Sequence, residues 1–150
     1  MIRRAKPEDC ATVERIVRDA YGKYVERIGK PPGPMLDDYG ALIAEGRVSV
    51  LEEADGTMTA IIVLLPEPDH LLLDNIAVGP DRQGHGLGRQ LIAFAEDEAR
   101  RLGYAELRLY THEKMTENIA LYTRLEFEET GRGREAGYDR VFMTKRLDFG

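Results

Sequence analysis

Apolar positions along the chain follow two periods, and the switches between them mark the elements. "MIRRA" opens as a short strand. Pro7 follows, where the first turn of a helix tolerates proline, and Val13, Ile16, Val17, Ala20 and Tyr21 then recur at helical spacing. A second helix is expected from about Met35 to Glu45, with Leu36, Tyr39, Leu42 and Ile43 on one face. "RVSVLEE" and "MTAIIVLL" read as strands joined by Ala54-Asp55-Gly56, a hairpin turn signal. "HLLLDNIAV" has almost no polar alternation, which predicts a strand central in the sheet. Leu87, Leu91, Phe94, Ala95 and Leu102 mark the stripe of a long helix, with Gly103 at its C-terminal cap. "AELRLY" is the next strand, and "TENIALYTRL" is a short helix with Thr116 as N-cap. "FEETGRG" and "YDRVFMTKRL" close the chain as two strands. The order β-α-α-β-β-β-α-β-α-β-β predicts a single α/β (α+β) domain over residues 1–150. Its central sheet is mixed and mostly antiparallel, flanked by helices.

Composition narrows what such a domain does. The chain has 150 residues, 43% hydrophobic and 32% charged, enough for one core and in globular balance. No apolar run approaches the ~20 residues that cross a bilayer, and "MIRRAKPEDC" has no apolar h-region. Cytoplasmic location is therefore expected, without a membrane partner. Cys10 is the only cysteine, which excludes an internal disulfide and a cysteine-based zinc site. The histidines lack metal-ligand spacing, so no metal is predicted. A net charge of −6 argues against nucleic acid as a partner and suits cationic ligands. "GKPPGPM" reads as a loop between the first two helices. A homodimer stays open.

The candidate chemistry centres on "VGPDRQGHGLGRQLI". Gly84, Gly86 and Gly88 form a tight elbow between a strand and a helix. Glycines let the backbone approach a ligand closely, and the unpaired amides of a helix start, with the helix dipole, hold an anion, above all a phosphate. A P-loop needs Gly-Lys-Ser or Gly-Lys-Thr, but Gly88 is followed by Arg89-Gln90. The dinucleotide fingerprint needs a third glycine where Arg89 stands.

Gln83-Gly84-His85-Gly86-Leu87-Gly88 resembles the Q/R-x-x-G-x-G/A signature of the GNAT superfamily of N-acetyltransferases. "NIAVGP" is similar to the family's lead-in strand, "LGRQLIAFAEDEARRLGY" to the helix behind the loop, and "NIALYTRLEFEETGR" to its A-x-x-L-Y-x-x-L-G-F block. The element order is also the family's. Two departures stand out. Glu126 replaces the glycine before Phe127, and a small rearrangement of that turn is expected if the position needs positive φ. The family's asparagine, seven positions before the helix tyrosine, is Met115 here, with Asn118 three residues later.

The resemblance implies acetyl-CoA as co-substrate, no metal, and direct attack of an amine on the thioester. Its pyrophosphate would lie on the amides of Gln83, Gly84, His85, Gly86, Leu87, Gly88 and Arg89, with Asn118 a further candidate contact. A backbone amide among Ile76, Ala77 and Val78 would polarise the carbonyl. Tyr122 matches the family's general acid. His70 and Asp74 are candidate bases; Tyr110, His112 and Glu113 at the next strand's end, or water, are alternatives. Tyr21, Tyr24, Arg27 and Tyr39 are expected to line the acceptor pocket, and the acceptor would be an amine-bearing small molecule or peptide. "NIAVGPDRQGHGLGR" also resembles enzymes that acetylate protein N-termini. The other readings are a non-catalytic acyl-CoA-binding module and an acyltransferase with a longer donor.

Overall fold

The structure, a computed structural model, describes residues 1–147. In chain order its elements are β1 (Ile2–Arg4), α1 (Cys10–Tyr21), α2 (Lys23–Ile28), α3 (Tyr39–Ala44), β2 (Val48–Glu52), β3 (Met58–Pro66), β4 (Leu71–Val78), α4 (Leu87–Arg101), β5 (Glu106–His112), α5 (Thr116–Arg124), β6 (Glu128–Glu135) and β7 (Tyr138–Arg146). The strands form a seven-stranded sheet in the order β1-β2-β3-β4-β5-β7-β6. Every neighbouring pair is antiparallel except β4 and β5.

The continuous apolar runs of β3 and β4 follow from helices on both faces. On one face Val13, Ile16, Val17 and Ile43 pack on Val48, Val50, Ile61, Val63 and Ala77. On the other Leu91, Ile92, Ala95 and Ala99 pack on Ile62, Leu71, Leu73, Ile76, Leu107 and Leu109. Ile61 and Ile62 are adjacent in sequence yet belong to opposite cores, as the alternation of a strand requires. In β4 the alternation slips once. Val63 pairs Asn75 while Leu64 pairs Leu73, so Asp74 is an extra residue without a partner in β3. This bulge lets Leu71, Leu73 and Ile76 share one face despite their odd spacing.

β4 and β5 pair only from Leu71–Leu107 to Leu73–Leu109. Beyond the bulge β4 leaves, while β5 continues along β7 as far as His112. The parting strands open a cleft in the middle of the sheet.

Some expected boundaries are corrected. The helix expected from Met35 begins at Tyr39, because the Asp38 side chain accepts from the Ala41 amide and caps it there. Gly33–Leu36 is instead a single 3-10 turn, and Leu36 is 66% exposed. The first helical region divides at Gly22 into α1 and α2, and α2 ends at Gly29 with φ 91°. Thr116 is the first residue of α5, with Met115 in the cap position. Leu102, 45% exposed, falls outside the α4 stripe, and Gly103 follows it with φ 85°.

Candidate active site

The glycine elbow uses its residues for different reasons. Gly84 and Gly86 hold φ of 85° and 77°, left-handed values that cost a side chain about 1–2 kcal/mol. Space around their missing Cβ positions is open to 4 Å, so the backbone is free to meet a ligand. Gly88, the second residue of α4, has the Leu121 methyl 3.4 Å from its missing Cβ. It lets α4 and α5 approach. The Gly79 amide bonds the Thr59 carbonyl on β3, so by alternation Ile76 and Val78 turn their backbone groups to the cleft. Their carbonyls accept from the Tyr21 hydroxyl at 2.7 Å and the Gln83 side-chain amide at 3.3 Å.

Two cavities meet in the cleft. The larger, about 380 Å³, is lined by Ile76, Val78, Gln83, Gly84, Gly86, Leu87, Gly88 and Arg89, with Tyr24, Lys23, Arg82 and Arg124 around them. Its basic rim is notable in so acidic a chain. Arg82 is paired with Glu53 at 3.2 Å and Lys23 with Glu117 at 3.8 Å, while Arg89 and Arg124 have no ion-pair partner among the described residues. The smaller cavity, about 140 Å³, is lined by Asp37, Asp74, Tyr110, His112, Tyr138 and Arg140 among others. Tyr21, Asn118 and Tyr122 line both.

Tyr122 is 4% exposed, and the edge of the Phe127 ring at 5.7 Å fixes its own ring. Burial pushes its hydroxyl above the ordinary tyrosine range, so it stays protonated at any working pH. Among the described residues that hydroxyl has no hydrogen-bond partner.

The smaller cavity holds a carboxyl pair. Asp37 and Asp74 both line it and face each other closely enough to perturb each other's protonation, with Tyr110 beside Asp74. Partial withdrawal from water, then the facing Asp74 charge, push Asp37 up to about 7. Burial raises Asp74, against the pull of Asp37, Arg140 and Tyr110. Arg140 stacks 4.1 Å over the Tyr110 ring and pairs with Glu135 at 2.6 Å. His112 is held below the ordinary histidine range by burial. The Lys114 amide donates to its Nδ1 at 3.1 Å, which places the neutral ring's proton on Nε2. With its lone pair engaged, His112 is a donor into the cavity rather than a base.

The other residues singled out in the sequence lie as follows. Asp74 is in the smaller cavity, but His70 lies at the opposite end of β4, with Nδ1 2.6 Å from Asp69, and lines neither cavity. Glu113 is exposed beyond β5. Ala77 packs on the α1 side of the sheet and His85 is exposed on the loop. Tyr24 lines the larger cavity rather than the smaller. Arg27 ties α2 to α5 through Glu117 at 2.6 Å and the Lys114 carbonyl, outside both cavities. Tyr39 is buried behind the wall, accepting from Asn75 at 2.9 Å and donating to the Pro34 carbonyl at 2.6 Å. Glu126 takes the left-handed conformation of a glycine, φ 74°, so the turn before Phe127 keeps its shape instead of rearranging. Asp37, Tyr138, Arg140, Lys23 and Arg124 went unsuspected in the sequence. "MLDDYG" does signal a helix start at its aspartates, but nothing local distinguishes Asp37 from the capping Asp38.

Among the described residues no group of three or more His, Cys, Asp or Glu side chains is placed to hold a metal. No helix among them is long and apolar enough to cross a membrane.

A strand–glycine elbow–helix beside a parting pair of parallel strands defines an α/β fold with an anion-binding elbow at the edge of a central cleft. The sequence profile of the Acetyltransferase (GNAT) family matches residues 12–127, and the chain belongs to that family. Over 75 residues it is 40% identical to the [ribosomal protein bS18]-alanine N-acetyltransferase of Escherichia coli K12, covering 50% of this chain and 51% of that one. The chain thus spans about half the length of the curated relatives it matches. The solved structure of the Escherichia coli ribosomal-protein-S18-alanine N-acetyltransferase superposes with TM-score 0.77 at 25% identity, covering 100% of this chain and 95% of that chain. The yncA protein of Salmonella typhimurium, solved with its cofactor acetyl-CoA, superposes with TM-score 0.74 at 27% identity and the same coverage.

Proposed function

We propose that this chain is an acetyl-CoA-dependent N-acetyltransferase that moves the acetyl group directly to a primary amine of a small molecule or peptide. The observation that carries the reading is the meeting of the two cavities at one buried tyrosine with an unpartnered hydroxyl. The larger cavity takes the co-substrate. Its pyrophosphate lies on the elbow from Gln83 to Arg89, with Arg89 and Arg124 adding charge and Asn118 at the junction. The backbone N–H of Ile76 or Val78 polarises the thioester carbonyl.

The smaller cavity takes the amine, and Asp74 is the base that receives its proton. Tyr122 serves the departing sulfur. A thiol, near pKa ~8.5, is a stronger acid than tyrosine, so the hydroxyl gives its proton only as it takes one from the attacking nitrogen. The net change is an ammonium and a thioester going to an amide, a thiol and one proton. A thiol-release assay with acetyl-CoA against a panel of amines and peptides tests the reading. Turnover on an amine supports it, and binding of acetyl-CoA without turnover on any acceptor sinks it.

A further inference from the structure

The smaller cavity is bordered by parts distant in sequence and is open to solvent on one side. The loop between α2 and α3 and the β6–β7 turn are tied across it. The Tyr138 hydroxyl donates to the Pro31 carbonyl at 2.7 Å. Lys30 donates to the Gly137 carbonyl at 2.7 Å and lies 4.1 Å over the Tyr138 ring. The same loop carries Asp37 down to Asp74. The space beneath is about 140 Å³. An engineered cavity of roughly 150 Å³ takes one benzene molecule. That volume holds the amine-bearing end of an acceptor, while the rest of a longer acceptor would lie outside through the open side.

The charges facing the pair are few. Arg140 of β7 is balanced by Glu135 of β6. Tyr21 of α1, Tyr39 of α3 and Tyr110 of β5 are all held neutral by burial, and His112 is neutral as well. The carboxyl pair, with its one shared proton, therefore sets the sign of the cavity as negative. Tyr122, 4% exposed and with an unpartnered hydroxyl, lines the same space.

We infer that Asp37 and Asp74 work as one unit that receives the acceptor as its ammonium and takes its proton. The inference rests on the reading above that the smaller cavity holds the acceptor. In the step, an N–H bond of the ammonium breaks and an O–H bond forms on the carboxyl pair, which later returns the proton to water. The freed lone pair then forms the C–N bond as the C–S bond breaks, and the nitrogen's surplus proton passes by way of Tyr122 to the departing sulfur. Asp74 is the receiving group, and Asp37 is a positioning residue whose own charge decides when Asp74 accepts.

The test uses the full chain with saturating acetyl-CoA, butylamine as the acceptor probe, and kcat/KM measured from acid to alkaline pH. In the wild type the activity on butylamine rises with pH through a limb near 7, where the shared proton leaves. In Asp37→Asn the limb moves to lower pH by about one unit or more, because one negative charge beside Asp74 is gone. Asp37→Glu restores it. A merely structural role for Asp37 lowers activity equally at all pH, and that result overturns the inference. The carboxyl ¹³C resonances of the free enzyme give a readout without turnover. Two aspartates titrating independently in the ordinary carboxylate range overturn the pairing, whereas a shared shift that survives absent turnover places the failure in the proposed reaction instead.

Discussion

Two residues carry most of what a single substitution reveals here. Tyr122 meets both cavities, and its ring is fixed by Phe127 while its hydroxyl is left for a ligand. Phenylalanine keeps the ring and removes only the hydroxyl. Tyr122→Phe is expected to fold and bind CoA normally while kcat falls ~10²–10⁴-fold, the usual range for a positioned proton donor. Near-native kcat on the best acceptor would reduce this tyrosine to a packing residue. Glu126 is the opposite case, a residue that its backbone does not favour. At φ 74° its side chain has the strain that glycine lacks. Glu126→Gly should stabilise the protein by about 1 kcal/mol, which for a chain of this size raises Tm by about 2–4 °C. An unchanged or lower Tm in thermal unfolding would mean that Glu126 makes a compensating interaction. Tyr122 was legible in the sequence because a motif surrounds it. The retained turn at Glu126 was not, since only φ tells whether a chain bends or the residue strains.

At the scale of elements, legibility followed the range of the forces. The β-strands, α4 and the glycine elbow are encoded locally, by alternation, stripe and positive φ, and were readable. The region from Gly29 to Asp38 was not. Pro31, Pro32 and Pro34 break regular structure there, so the apolar Met35 and Leu36 look like the start of the α-helix but end a single 3-10 turn. What fixes this loop is remote: Tyr39 with Asn75, Tyr138 with Pro31, Asp37 with Asp74. The last of these contacts leaves a trace in stability. Asp37 has a folded value near 7 against an ordinary 3.8, so between these values the folded state holds a proton that the unfolded state has lost. Stability from this group therefore falls as pH rises from about 4 to 7 and is lost above. Glu117, held near 2 by Arg27, has the opposite sign and titrates below that window. His112, lowered by burial, adds a rising component within it, but equally in wild type and variant. The drop in Tm from pH 5 to pH 8 should accordingly be smaller in Asp37→Asn than in wild type. Parallel Tm profiles would mean that Asp37 titrates as an ordinary surface carboxylate.

Across the whole molecule, the proposed function depends on a sheet that parts in the middle and on two layers of connection around the gap. β4 and β5 stay together for three residue pairs, and the Asp74 bulge then turns β4 away. The side of the gap with the larger cavity, proposed for the co-substrate, is built from neighbours in sequence: β4, the elbow, α4 and α5. The side with the smaller cavity, proposed for the acceptor, is assembled from the α2–α3 loop, the β4 bulge, the end of β5 and the β6–β7 turn. This is why the first was legible and the second was largely hidden, with Tyr24, Arg27 and Tyr39 placed elsewhere than in the smaller cavity. The division leads to a prediction that separates the two sides. Lys30→Met removes a hydrogen bond and a cation–π contact from the tie over the smaller cavity, and Tyr138→Phe removes the bond to Pro31. Each bond is partly exposed, so the stability cost is only about 0.5–1.5 kcal/mol apiece. The loop they release carries Asp37, and the larger cavity shares no residue with it. In the double variant KM for the best acceptor should rise several-fold while CoA affinity by calorimetry stays at the wild-type value. Acceptor and CoA constants moving together would mean that the ties hold the whole cleft rather than its acceptor side.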